Sequence, residues 1–247
     1  MIKFFRKIRY NLMEQNKIGK YLKYALGEIL LVMIGILLAL QVNNWNEQKK
    51  IVKQEKATIA NLHLEFKKNL ITLNGDMKVL QQIIDASNSL LVNIGPDYQF
   101  GTLKNVDSLI SMTPRMVVWD PSQYTLSDIK ASGKLSSLSN ENLKIKLIEW
   151  ESFYNNLLDW GDFYTKRGES YFEFLTNNSL NRNINMMVNF KYGKSKFKGS
   201  NEQLLRSQLF ENMLVDRVTT HIFMLEFYED AREQIIGIID ECKSYQD

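Results

Sequence analysis

Between Gln48 and Ile94 the apolar positions fall at Ile59, Leu62, Phe66, Leu70, Leu73, Met77, Leu80, Ile84, Leu91 and Ile94, mostly in steps of three and four. That spacing lays one stripe along a helix and predicts a single long element. Upstream the pattern changes. From Tyr24 to Val42 only Glu28 and Gln41 are strongly polar, so this stretch has no polar face. A helix of that length is about enough to cross a hydrocarbon layer of roughly 30 Å. Tyr21 and Tyr24 stand at one end and Trp45 at the other, the places that interfacial aromatics favour. At 1.5 Å per residue Tyr24 and Trp45 are about 31 Å apart. The long amphipathic helix is expected to continue directly from this span and to stop at Gly95-Pro96, because proline cannot extend the ladder and restrains the residue before it.

Further elements are set by stop and start signals. Residues 97–119 are irregular, with a short helix expected near Asp107 and an extended "MVVW" piece, and are read as a cap or crossover. Asp120-Pro121-Ser122-Gln123 has the form of a helix start, and Gly133 that of a helix end. Ser139 or Asn140 is expected to cap a helix running to about Thr176 through Leu143, Leu147, Trp150, Phe153, Tyr154, Leu157, Trp160, Tyr164 and Phe172. After a polar stretch, Ser200-Asn201-Glu202-Gln203 has capping-box spacing and is expected to open a last helix carrying Leu205, Leu209, Met213, Phe223, Phe227, Ile235, Ile239 and Cys242. The expected fold is therefore all-α: one N-terminal transmembrane helix continuing into an elongated antiparallel helical bundle. Its segments are a basic tail over 1–20, the span over 21–45 and an exported bundle over 46–247.

Composition supports the helical reading, since the 247 residues include only 3 prolines and 12 glycines. The single cysteine, Cys242, excludes an intramolecular disulfide framework. A net charge of +3 without a recognisable reading element gives no reason to expect nucleic-acid binding. The distribution of charge says more. Lys3, Arg6, Lys7, Arg9, Lys17, Lys20 and Lys23 precede the span with Glu14 as the only acid among them, which predicts a cytoplasmic N-terminus and export of the residues after Trp45. In a Gram-negative cell that means a single pass through the inner membrane and a periplasmic domain. Lys49, Lys50, Lys53 and Lys56 on the far side weaken the asymmetry. The rival, a cleaved signal peptide, needs a shorter apolar region and a small-x-small site, whereas "LLALQVNN" offers only Ala39 beside bulky neighbours. Ile2, Phe5, Ile8 and Leu12 at helical spacing fit either an interfacial helix or a plain basic tail.

The run "KYLKYALGEILLVMIGILLALQVNNWNEQ", preceded by "MIKFFRKIR", resembles the N-terminal signature of an uncharacterised family of membrane-anchored proteins common in Bacteroidota. Gly27, Glu28, Ile29, Gly35, Ala39, Leu40, Asn43, Asn44, Trp45, Asn46 and Glu47 carry that likeness. A second block, "YTLSDIKASGKLSSLSNENLKIKLIEW", resembles an internal segment of the same family through Ser132, Gly133 and Leu135. The resemblance implies an anchor and no activity.

Candidate chemistry is sparse. His63 and His221 lie on different helices outside any metal-ligand spacing, and no cofactor is expected. Glu226 and Glu229 are read as solvated, and Cys242 as packed or exposed rather than nucleophilic. Trp150, Tyr154, Trp160 and Tyr164 line either a ligand cleft or, more simply, the core. No catalytic residue is expected. Two functions remain: a non-enzymatic envelope protein that assembles with itself or another membrane or envelope protein, or a ligand-sensing domain signalling through a membrane partner. Membrane lipid is expected as a partner through the span and through Arg182, Lys191, Lys194, Lys196 and Lys198, a basic connection that either meets headgroups or is simply solvated. Glu28 either snorkels toward the headgroups or bonds across a helix contact on the face of Gly35 and Ala39.

Overall fold

A computed structural model describes Arg6, Tyr10, residues 18–184 and residues 193–245. The tail positions Ile2, Phe5, Ile8 and Leu12, the side chain of Tyr21, and Lys191 lie outside the described residues. The chain divides into two compact units, Met1–Ala57 and Thr58–Asp247.

The first unit is built on the helix α1, Ile18–Leu91, whose early part carries the apolar run. Among the described residues one helix is long and apolar enough to cross a membrane. Its most apolar 18-residue window has a mean hydropathy of 2.4, and 0% of that window is buried. Leucine, methionine and alanine favour the helix, and none of the described residues covers the side chains of that window. Past the run, the Lys49 ammonium sits 3.6 Å from the centre of the Trp45 ring, a cation held on an aromatic face.

In the second unit, the Thr58–Leu91 part of α1 buries Ile59, Leu62, Phe66, Leu73, Leu80 and Ile84 of the expected stripe, while Ile83 and Leu90 are buried in place of Leu91 and Ile94, which with Leu70 and Met77 are half-buried. The helix ends at Leu91, before Gly95-Pro96. Asn93 and Ile94 donate to the carbonyls of Leu90 and Leu91 in tight turns, and the Gly95 amide leaves for Leu205 O at 2.9 Å. The short helix near Asp107 is present as α2, Val106–Met112. Residues 115–123 form neither helix nor strand, and over 116–119 burial alternates, with Val117 and Trp119 buried and Met116 and Val118 exposed, as in an extended chain.

Two helix starts differ from expectation. The Asp120-Pro121 signal does not open a helix, for α3 spans Tyr124–Ala131 with Gln123 before it and no side-chain cap. The reason is tertiary. Asn69 takes both backbone groups of Ser122, Nδ2 donating to Ser122 O and Oδ1 accepting from Ser122 N, each at 2.9 Å. Glu65 accepts from Thr125 N at 2.7 Å, which fixes where the turn begins. Gly133 ends this segment as expected, at φ 71, and leads into the 3-10 turn Lys134–Ser137. Asn140 caps α4, Glu141–Asn178, accepting from the Leu143 amide at 3.0 Å. A four-residue turn, α5, covers Asn181–Ile184. The second displaced start is the Ser200 box, which caps only the 3-10 helix Asn201–Arg206. The last long helix, α6, is Gln208–Ser244 and is capped by Ser207, which accepts from the Phe210 amide at 3.2 Å.

The described residues contain helices and no strand, so the all-α expectation holds. Direction is set by packing. Phe66 meets Trp150, and both belong to a core with Met224 to Cys242, whereas Leu90 packs with Tyr171 to Leu175 and with Leu204 to Leu214. Thus α4 runs in the same direction as Thr58–Leu91, and α6 runs antiparallel to both. The Leu91 end is closed by a polar knot: Tyr98 and the Gly101 amide donate to Glu202, and Asn201 donates to Asp107 while accepting from the Leu180 amide.

Because Ser207 holds the first turn of α6, Ser207→Ala is expected to lower the stability of the full chain by about 1 kcal/mol. Ser200→Ala, which loosens only a six-residue 3-10 helix, is expected to cost less. Urea unfolding of both variants in mild detergent measures the order, and a larger loss from Ser200→Ala would return the start of the helix to that box.

Candidate functional site

An extended segment among helices has no neighbouring strand, so its backbone donors and acceptors must find side-chain partners or bear the cost of burial without them. The 113–125 strap finds them residue by residue. Thr113 Oγ1 donates to Ile110 O and so accepts from the Tyr171 hydroxyl at 2.7 Å. Arg217 Nη2 donates to Arg115 O at 3.0 Å. The Val117 amide donates to the Tyr164 hydroxyl at 3.1 Å. Tyr228 donates to Val117 O at 3.1 Å while accepting from the Trp119 amide at 2.7 Å. The Trp119 indole donates to Thr72 Oγ1 at 3.0 Å. Asn69 and Glu65 complete the series at Ser122 and Thr125. Burial pushes the hydroxyls of Tyr164, Tyr171 and Tyr228 above their ordinary range, so all three stay protonated.

Arg217 stands apart within this set. It is 1% exposed, an arginine in a helical core, and its Nε and Nη1 make no hydrogen bond. Tyr164 and Tyr171 present their rings 5.3 and 5.9 Å from its guanidinium carbon. Burial lowers its pKa, opposed by the nearby tyrosines. The adjacent carboxylate, Asp216, is paired with Arg167. His221, also 1% exposed, lies one turn along. Its Nδ1 donates to Arg217 O at 2.6 Å, which leaves Nε2 to accept from Arg217 Nη2 at 3.3 Å. Burial first, and the Arg217 charge second, push its pKa down to about 4, so the ring is neutral at neutral pH.

The residues expected from sequence are spread out. Glu28 is half-buried, while Gly35 and Ala39 are exposed, and open space surrounds the point where a Gly35 Cβ would stand. Tyr24 and Trp45 are exposed beside them on the helix. Arg182, Lys194, Lys196 and Lys198 are exposed. Their connection lies at the Leu91 end of the second unit, tied there by Asn201 and Leu205, not at the Thr58 end where an antiparallel third element would have returned it. Trp150 and Tyr164 are fully buried in the core, and Tyr154 and Trp160 are half-buried. His63 is half-buried and its pKa is lowered by burial and by Lys67 and Lys243, surroundings it does not share with His221. Cys242 is buried, its thiol pushed up to about 12. Among the described residues no group of three His, Cys, Asp and Glu side chains is placed to hold a metal ion.

The reading of α6 needs correction. Leu209 and Phe223 are exposed, and the buried stripe is Phe210, Leu214, Arg217, His221, Met224 and Tyr228. Arg217 and His221 interrupt the apolar run on that face, so an apolar pattern leads to the neighbouring face. The available signal was a polar pair four apart in register with Phe210, Leu214, Met224 and Tyr228.

Fold and site together define a class: a strap-braced helical domain whose first helix also carries a segment long and apolar enough to span a membrane. More particularly, the chain belongs to the family of unknown function DUF6090, whose family model matches residues 28–189. The match takes in the strap and α4 and stops before α6, so Arg217 and His221 fall outside it. No curated protein and no solved structure matches the chain.

The buried neutral imidazole gives a pH dependence of stability. Between pH 6.5 and about 4 the unfolded chain binds a proton at His221 that the native chain does not. Stability therefore falls as pH drops through that window, by about 3 kcal/mol from this group, and loses nothing more from it below. Unfolding of the full chain measured across the window is expected to show the loss, and His221→Gln is expected to flatten it. An equally steep profile in the variant would remove His221 as its source.

Proposed function

We propose that this is a non-enzymatic, single-pass protein of the inner membrane, with its N-terminus in the cytoplasm and a periplasmic helical domain that assembles with a second copy of itself. The observation that carries the proposal is an aromatic seam along the outside of α4 and α6. The Trp160 ring lies 5.4 Å from Phe163, 6.4 Å from Phe223 and 5.5 Å from Phe227, and Phe227 continues to Phe153 at 5.6 Å. Phe163 and Phe223 are 45% and 47% exposed, so the patch faces outward, with the Arg167 guanidinium 5.0 Å from the centre of the Phe163 ring. Contiguous exposed aromatic surface of this kind marks contact sites.

Anchoring argues for a second copy as the occupant: two copies held in one membrane with the same orientation relate by a two-fold axis along the membrane normal and present the same seam at the same level. In the span, the face of Glu28, Gly35 and Ala39 offers a second contact, small residues allowing close approach and the acid a bond across it. The basic residues before Tyr24 support the orientation.

Phe163→Ser with Phe223→Ser is expected to reduce the complex seen for the full chain in mild detergent to a single copy, and Glu28→Leu to weaken it. A wild-type chain that runs as one copy sinks self-assembly. A fixed partner crosslinked at the seam in native membranes would replace the second copy as its occupant. Topology is tested separately: protease added to spheroplasts is expected to digest residues beyond Trp45 and to spare the tail. Protection of the helical domain would reverse the orientation.

A further inference from the structure

The Arg217 guanidinium has five N–H groups, and the two on Nη2 serve Arg115 O and His221. The rest, on Nε and Nη1, have no acceptor in good hydrogen-bond geometry, although the side chain is 1% exposed and the Tyr164 hydroxyl lies close enough to favour its charge. Glu65 Oε1, Gln123 Nε2 and Trp150 Nε1 around the strap are also buried without a partner, but Arg217 is the group among them that carries a positive charge, and the strap explains one edge of it and leaves the remainder without a role. An uncompensated buried cation is costly, and a bound anion removes the cost.

One place gives access to it. Gly168 on α4 has no side chain, and a Cβ built there would stand 3.2 Å from Arg217 Nη1 on one side and collide with Met116 Sδ on the other. Met116 therefore lies across the gap above the free Nη1, packed into the space that glycine leaves. It is also 43% exposed, so a single flexible thioether side chain separates the guanidinium from solvent at that point. Met116 belongs to the extended strap, where its outward neighbour Val118 is exposed too.

We propose that Arg217 is the floor of a binding site for one small carboxylate, entered over Gly168 when the Met116 side chain swings aside. The carboxylate accepts hydrogen bonds from Nη1, and its short apolar tail takes the place of the Met116 side chain between the strap and α4. A singly charged ligand fits because one buried cation lacks a counter-charge: Asp216 is already matched by Arg167, and His221 is neutral. The charge-assisted bond forms in a site that excludes water, where it is stronger than at a surface. The site is independent of the aromatic seam.

The full chain in mild detergent is unfolded thermally in sodium acetate, sodium butyrate, sodium phosphate and sodium chloride at equal ionic strength and pH. Butyrate and acetate are expected to raise the unfolding midpoint above chloride, butyrate more, because stabilisation by a ligand of the native state grows with its concentration over Kd. Met116→Ala is expected to bind acetate more tightly by removing the cover. Gly168→Ala, which puts a methyl group between Met116 and Nη1, is expected to abolish the shift. Arg217→Met is expected to fold, an apolar side chain replacing a buried charge, and to show no difference between the salts. Arg217→Lys, a point charge in place of the planar group, is expected to retain a weaker shift. Midpoints that are equal in all four salts, or a carboxylate shift that survives in Arg217→Met, overturn the proposal. A phosphate shift as large as that of butyrate overturns its monoanionic, carboxylate form.

Discussion

The fold depends on satisfying the backbone of an extended segment inside a helical domain. A helix closes its own hydrogen bonds and a sheet closes them between strands, but residues 115–123 have neither recourse. Each buried donor or acceptor left open would cost on the order of 1 to 3 kcal/mol, comparable to a sizeable part of a domain's stability. The chain meets the requirement with side chains from every long helix: Asn69 and Glu65 from α1, Tyr164 from α4, and Arg217 and Tyr228 from α6. The strap is therefore what fixes the three helices relative to one another in the second unit. Trp119 adds packing to the same joint, meeting Trp150 and Tyr228 edge-on at 6.1 Å each.

The polar groups in this core are not interchangeable with apolar ones of equal size. A tyrosine that both donates to Val117 O and accepts from Trp119 N fixes the strap's register to within one residue, since a slip would exchange the inward Val117 and Trp119 for the outward Met116 and Val118. The pair of bonds from Asn69 does the same at Ser122. The geometry at Arg217 differs in kind, because only one of its nitrogens serves the strap. Its burial thus combines a structural bond with donors that the fold does not use.

What could be read from the sequence divides along the same line. The stripe from Ile59 to Ile84, the end at Gly133 and the Asn140 cap are local patterns, and the structure has them where the residues put them. The Asp120-Pro121 and Ser200 signals are also local, yet they were overridden, the first because Asn69 and Glu65 hold the residues that would have formed the turn. Arg217 and His221 were illegible for a related reason. A periodicity built on apolar residues skips polar ones, and Arg115 O, the strap atom that Arg217 serves, is a backbone atom more than a hundred positions away in the chain. The candidate span is legible because it needs no partner within the chain: a run without a polar face announces itself, and its side chains are uncovered.

The strap also accounts for the direction of α4. Helices joined by short loops run antiparallel, yet α4 comes after α1 in the same sense. The chain must then travel back along α1 before α4 can begin. From Leu91 to Asn69 the helix rises about 33 Å at 1.5 Å per residue. An extended chain covers about 3.3 Å per residue, so the nine residues 115–123 reach at most about 30 Å, most of that distance. These nine residues thus do what would take about twice as many in a helix, and they arrive at Asn69, where Ser122 is held on both sides. A helical return would have satisfied its own backbone but filled the space between α1, α4 and α6 with a fourth cylinder. The narrower extended chain leaves Trp150 and Tyr164 room to pack against it, at the cost of handing its hydrogen bonds to the surrounding side chains. The parallel course of α4 and the polar residues buried beneath the strap are two consequences of that one choice.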